Sequence, residues 1–124
     1  MKFAYAFRRE SWYPHFGPRG TELVPADLRH AWLKKVKSLG FDGLEISAVL
    51  PDGGDANESA VGELRRQLEG AGLPVLGVRG GGGLAKPRTR NIARSRWEKA
   101  IQFAAWVGSP TLNGNLCMSS NSGQ

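Results

Sequence analysis

Apolar residues along this chain recur with two alternating periods. From Pro25 to Leu39 they fall three and four apart, with Leu28, Trp32, Val36 and Leu39 on one stripe and Lys34, Lys35 and Lys37 largely off it. That spacing predicts an amphipathic helix over 25–39. A second helix is expected over 57–69. Asn57 is its N-cap, Glu58 sits in its first turn, and Val61, Leu64 and Leu68 form its stripe. A third is expected over 91–107, starting at Thr89 or Asn91, with Trp97, Ile101, Ala104 and Ala105 as its buried face and Ala100 beside it.

Each helical pattern runs into a glycine and then a short apolar segment: "KSLGFDGLEIS", "EGAGLPVLGVR" and "AWVGSPTLNG". Gly40, Gly72 and Gly108 stand where a helix turns left-handed at its end. With "KFAYAF" at the start, strands are expected to begin near residues 3, 43, 74 and 111. The order β-α-β-α-β-α-β, with no Gly- or Pro-rich linker, predicts one α/β domain over 1–124. Its strands are parallel, its sequential neighbours are paired in order, and its helices cover one face.

Parallel α/β sheets gather ligands at the C-terminal ends of their strands, which singles out a few polar positions. In "GLEIS", Leu44 and Ile46 are expected to face the helices, leaving Glu45 and Ser47 on the other side. In "PVLGVR", Leu76 and Val78 take the helix side, so Gly77 and Arg79 join Glu45; Thr111 and Asn113 follow likewise. A carboxylate within a buried strand needs a partner or a purpose. Glu45 either lines a polar site or forms an internal ion pair, with Arg79 as the partner in reach. The facing of the first strand stays open, since its aromatic and alanine sides are both apolar, but Arg8 at its end lies at the rim. The loop "SWYPHFGPRG" offers Trp12, Tyr13 and Phe16 for stacking on a sugar and His15 for titration near neutrality; the alternative is a lid packed on its own aromatics.

Charge and composition narrow the class. The net charge is +6 and 40% of residues are hydrophobic. Arg79, Lys86, Arg88, Arg90, Arg94, Arg96 and Lys99 lie together against one acid, Glu98. This patch either meets phosphates or is a solvated basic face. The run Gly80–Gly83 lacks the G-x-G-x-x-G and G-x-x-x-x-G-K-[ST] spacings, which excludes those nucleotide motifs and leaves a tight bend or an anion cradle. His30 sits on the first helix, and no H-E-x-x-H or Cys/His cluster is present. Cys117 is the only cysteine, and no run reaches the ~20 apolar residues of a membrane span. With no signal-peptide pattern at the start, the cytoplasm is the expected compartment.

The phrases "MKFAYAF", "LGFDGLEIS" and "GLPVLGVRGGG" together resemble the xylose isomerase-like TIM barrel superfamily, and within it the sugar phosphate isomerase/epimerase branch. "GFDGLEI" at Gly40–Ile46 is the most characteristic piece. The resemblance implies a partial (β/α)8 barrel of three βα units and a fourth parallel strand, because a complete barrel has eight strands and about 250 residues. The polar tail after Asn113 is then expected to mark an interruption at the fourth strand.

For the parent family the resemblance implies metal-assisted proton transfer next to a carbonyl in a small sugar or keto acid, using a divalent Mg, Mn or Zn ion. The metal and acid/base ligands belong to later strands, so no catalytic or metal residue is transferred to this chain. Glu45, Arg79, Asn113, Arg8, Trp12 and His15 are the expected substrate-binding set for a small sugar or sugar phosphate, and the chain is expected to be inactive alone. Two alternatives accompany this. One is a relative of the superfamily's AP endonucleases, favoured by the basic patch and opposed by the lack of histidines at the first and third strand ends. The other is a non-catalytic half-barrel that self-associates through open edges. No membrane partner is expected.

Overall fold

The computed structural model describes residues 1–6, 26–51 and 53–114. Its elements follow the expected order: β1 (Ala4–Ala6), α1 (Ala26–Ser38), β2 (Gly43–Ser47), α2 (Glu58–Gly70), β3 (Val75–Arg79), α3 (Arg90–Val107) and β4 (Leu112–Asn113). The four strands form one parallel sheet in the order β1-β2-β3-β4. This is α/β architecture with three helices feeding one core.

Local chemistry sets the helix ends. At α2 the Asn57 side chain accepts a 2.9 Å hydrogen bond from the Ala60 N–H, satisfying a donor that the helix leaves free. Gly40, Gly72 and Gly108 all have positive φ, at 92°, 75° and 77°. Gly108 shows why the residue matters. It caps α3 in the left-handed region, and a Cβ there would also press on the Arg65 guanidinium. Thr89 stands at the N-cap of α3 without capping it; its hydroxyl instead donates to the Gly83 carbonyl at 2.9 Å.

The core joins Leu33 and Val36 of α1, Val61, Leu64 and Leu68 of α2, and Phe103, Ala104 and Val107 of α3 to Leu44, Ile46, Val75 and Val78 of the sheet. Fully burying such a side chain contributes about 1.5–3 kcal/mol. The α2 stripe is the expected one.

The other two stripes are rotated from expectation. On α1 the buried line is Arg29, Leu33 and Val36, while Trp32 is half-buried and Leu39 is 62% exposed. On α3 it is Ala93, Ala100, Phe103, Ala104 and Val107, with Ile101 55% exposed and Ala105 also outside. Apolar neighbours one position away had offered an equally periodic face. The side chain of Leu28 lies outside the described residues.

One strand assignment also changes. Leu44 pairs with Val75 but Glu45 pairs with Gly77, so Leu76 is an extra residue in the ladder. Val75 therefore takes the core place expected for Leu76. Leu76 is half-buried and lies over Gly43, where any side chain would collide with it and with the Pro74 carbonyl. After this irregularity Gly77, Val78 and Arg79 face as expected.

In β1 the ambiguity resolves. Tyr5 turns to the helix side, edge-on to Trp32 at 6.0 Å and to Phe41 at 5.3 Å between ring centres. Ala4 and Ala6 then face the other way, with Ala6 beside Glu45 in register. Among the described residues no helix is long and apolar enough to cross a membrane.

Candidate functional site at the strand ends

Alternation along β2, β3 and β4 carries Glu45, Ser47, Arg79 and Asn113 to the face that the helices leave open. Ser47 pairs with Arg79, and Arg79 with Asn113, in the parallel register. With Gly80, Gly81 and Gly114 they line an open cavity of about 460 Å3. Three of the six expected substrate-binding residues, Glu45, Arg79 and Asn113, thus meet at one place. Arg8, Trp12 and His15, with Tyr13 and Phe16, lie outside the described residues.

Gly77 makes the approach of these strands possible. A Cβ there would stand 3.2 Å from Thr111 Oγ1, 3.5 Å from Glu45 Cγ and 3.8 Å from Asn113 Nδ2. Thr111 is committed to structure, since its hydroxyl donates to the Leu76 carbonyl at 2.9 Å. The Glu45 carboxylate lies 3.5 Å from Arg79 Nε, with the two side chains 29% and 31% exposed. That is an ion pair, but it is longer than the 2.7–2.9 Å of a charge-assisted hydrogen bond, and the Nε–H makes no hydrogen bond. The pair neutralises the site without closing it.

The floor under the strand ends is Trp97. Side chains at Gly81 or Gly114 would collide with its indole, so glycine at both positions lets backbone lie directly on the ring. The indole Nε1–H is buried there without a hydrogen-bond partner. The sequence pattern places Trp97 on the buried face of α3; it is half-buried, and its place beneath the site depends on the path of the loop between β3 and α3.

Gly81 also lines a second open cavity, of about 750 Å3, together with Gly82, Gly83, Lys86, Thr89 and Arg96. Gly81, Gly82 and Gly83 all have positive φ. Two members of the basic stretch thus share this cavity with the glycine run, next to the Glu45–Arg79 cavity. Ser47 is the strand-end residue missing from the expected binding set, although it follows Glu45 by two positions and so shares its face.

The divalent metal of the resembling family does not fit these residues. Among the described residues Glu45 is the only carboxylate lining the cavity, and a guanidinium stands against it. Among the described residues no group of three or more His, Cys, Asp or Glu side chains comes together to hold a metal. What the site can do is accept hydrogen bonds at Glu45, exchange them at Ser47 and Asn113, and bind a negative group at Arg79. No family model, curated protein or solved structure matches the chain.

Proposed function

We propose that this chain is a βα portion of a xylose isomerase-like TIM barrel of the sugar phosphate isomerase/epimerase kind, and that its strand ends bind and orient a small sugar phosphate. The observation that carries this reading is the shared residue Gly81, which joins the Glu45–Arg79–Asn113 cavity to the cavity bearing Lys86 and Arg96. Sugar hydroxyls fit the first, where a carboxylate, an amide and a hydroxyl alternate. A phosphate suits the second, which two cations line together with glycine backbone. The order of the sheet and the helices on one face are compatible with a barrel wall.

In this reading the described residues hold the substrate, and the proton transfer next to the carbonyl belongs to acid/base groups on other strands of the parent barrel. The same reading makes the chain inactive by itself.

The test is calorimetric titration of the chain with a pentulose 5-phosphate and with the unphosphorylated sugar. Saturable binding of the phosphate ester, with Arg79→Gln and Arg96→Gln each weakening it, supports the reading. Equal affinity for both sugars, or none for either, overturns it. Solvent proton exchange into the sugar with added Mg2+ or Mn2+ is expected at background. Exchange well above a Glu45→Gln control would overturn the purely binding role.

A further inference from the structure

A different cavity lies on the far side of the sheet, in the helix layer. It has a volume of about 300 Å3 between α1 and α2, and its walls are Leu33, Leu64 and Leu68. Its rim carries Arg29, Lys34 and Lys37, all from α1, and among the described residues no acidic side chain lines it. Among the described residues Arg29 is the only buried charged one, at 7% exposure. We propose that this groove binds a medium-chain carboxylate, a use independent of the strand-end site and of the reading given to it.

Charge complementarity selects an anion. The acids nearest in sequence on α2 are already engaged: Glu63 takes 2.6 and 3.1 Å hydrogen bonds from Arg66 and one of 3.3 Å from Gln67, and Glu69 takes one of 2.8 Å from Arg65. Lys35 is drawn away over the Trp32 ring, 5.8 Å from its centre. Lys34 and Lys37, three residues apart on one helix face, remain at the mouth. Lys37 extends beside Gly72 and bounds the groove at the C-terminal end of α2.

Size and wall chemistry select the tail and the head. The volume equals roughly ten water molecules, which suits an unbranched chain of about eight carbons against leucine walls. Each methylene taken from water into such walls is worth about a fourfold gain in affinity. Two ammonium groups match the two oxygens of a carboxylate. Among the described residues no hydroxyl lines the groove to serve the further oxygens of a phosphate.

Sodium octanoate titrated into the 15N-labelled chain tests this, with acetate and octyltrimethylammonium as head-only and charge-reversed probes. Saturable amide shifts centred on Leu33, Lys34, Gln67 and Leu68 are expected with octanoate alone. The Lys34→Glu, Lys37→Glu double variant should bind about tenfold more weakly. Ala71 lines the groove and is exposed, so Ala71→Trp fills the space from the surface and should abolish binding while the fold, checked by circular dichroism, is kept. Absence of saturable shifts at these residues, equal binding of octyltrimethylammonium, or unchanged affinity in Ala71→Trp each overturns the proposal.

Discussion

Glu45 and Arg79 face each other across adjacent parallel strands at 3.5 Å, each about one-third exposed. A pair with that geometry is held loosely. A double-mutant cycle with Glu45→Gln and Arg79→Gln is expected to give a coupling of at most about 1 kcal/mol in chemical denaturation. A coupling near 3 kcal/mol would mark the two as an internal structural pair. The case for a ligand between them would then fall.

Backbone at the site should resist any side chain. Gly40 and Gly81 both have positive φ, but a Cβ at Gly40 meets nothing within 4 Å whereas one at Gly81 collides with Trp97. Gly40→Ala should cost about 1–2 kcal/mol from the left-handed backbone alone. Gly81→Ala should cost about 2–5 kcal/mol, because overpacking is added. Matched thermal melts decide it, and equal losses would remove the Trp97 floor from the account.

The start of the sheet hangs on one side chain. Phe3 N–H donates to the Asp42 carboxylate at 2.8 Å, while the Asp42 N–H donates to the Phe3 carbonyl at the same distance. Asp42→Ala removes the first bond and keeps the second. A loss of about 1 kcal/mol is expected, with faster hydrogen exchange in β1. Unchanged exchange at Tyr5 and Ala6 would show that β1 is held without this bond.

Alkaline pH should find Tyr5 first. Burial raises its phenol above the ordinary value of 10.0. A raised folded-state value means that the unfolded chain releases this proton at lower pH than the folded one. The contribution of Tyr5 to stability is therefore intact below about pH 10 and is lost as pH climbs through the raised value. Tyr5→Phe should flatten the decline of stability across that window, read by denaturation at stepped pH. An identical decline in the variant would assign the effect elsewhere.

Edge strands set the expectation for assembly. Among the described residues β1 and β4 each pair on one side only. Unpaired strand edges recruit further chains. Sedimentation across a dilution series is expected to show a mass that grows with concentration. A constant monomer mass would mean that the edges are covered.

Much of the fold could be read from local chemistry. The three C-terminal glycines, the Asn57 cap and the Val61–Leu64–Leu68 stripe each have a cause within a few residues, and each stands as expected. The facing of α1 and α3 was harder, because helix periodicity fixes a stripe only to within one residue when apolar side chains adjoin. Leu39 and Ile101 satisfy the spacing as well as Leu33 and Phe103 do, and only the sheet decides between them. At the site, strict alternation was enough to bring Glu45, Arg79 and Asn113 together. The Trp97 floor and the cavity shared through Gly81 arise from the path of a loop across a distant helix, which has no periodic sign. The extra residue at Leu76 was hidden too: "VLGV" reads as a regular strand until its partner is known.

That extra residue gives β3 an unusual arithmetic. Val75 and Val78 are three positions apart, an odd number that in a regular strand would send them to opposite faces, yet both lie in the core. Removing Leu76 would leave them two apart and in phase, and would keep Gly77 and Arg79 on the side of Glu45. Removing a residue from β2 between Leu44 and Ser47 would reverse every side chain beyond the cut. The sheet thus contains one position where the chain can shorten by a residue without inverting its polarity, and it lies directly below the charged pair.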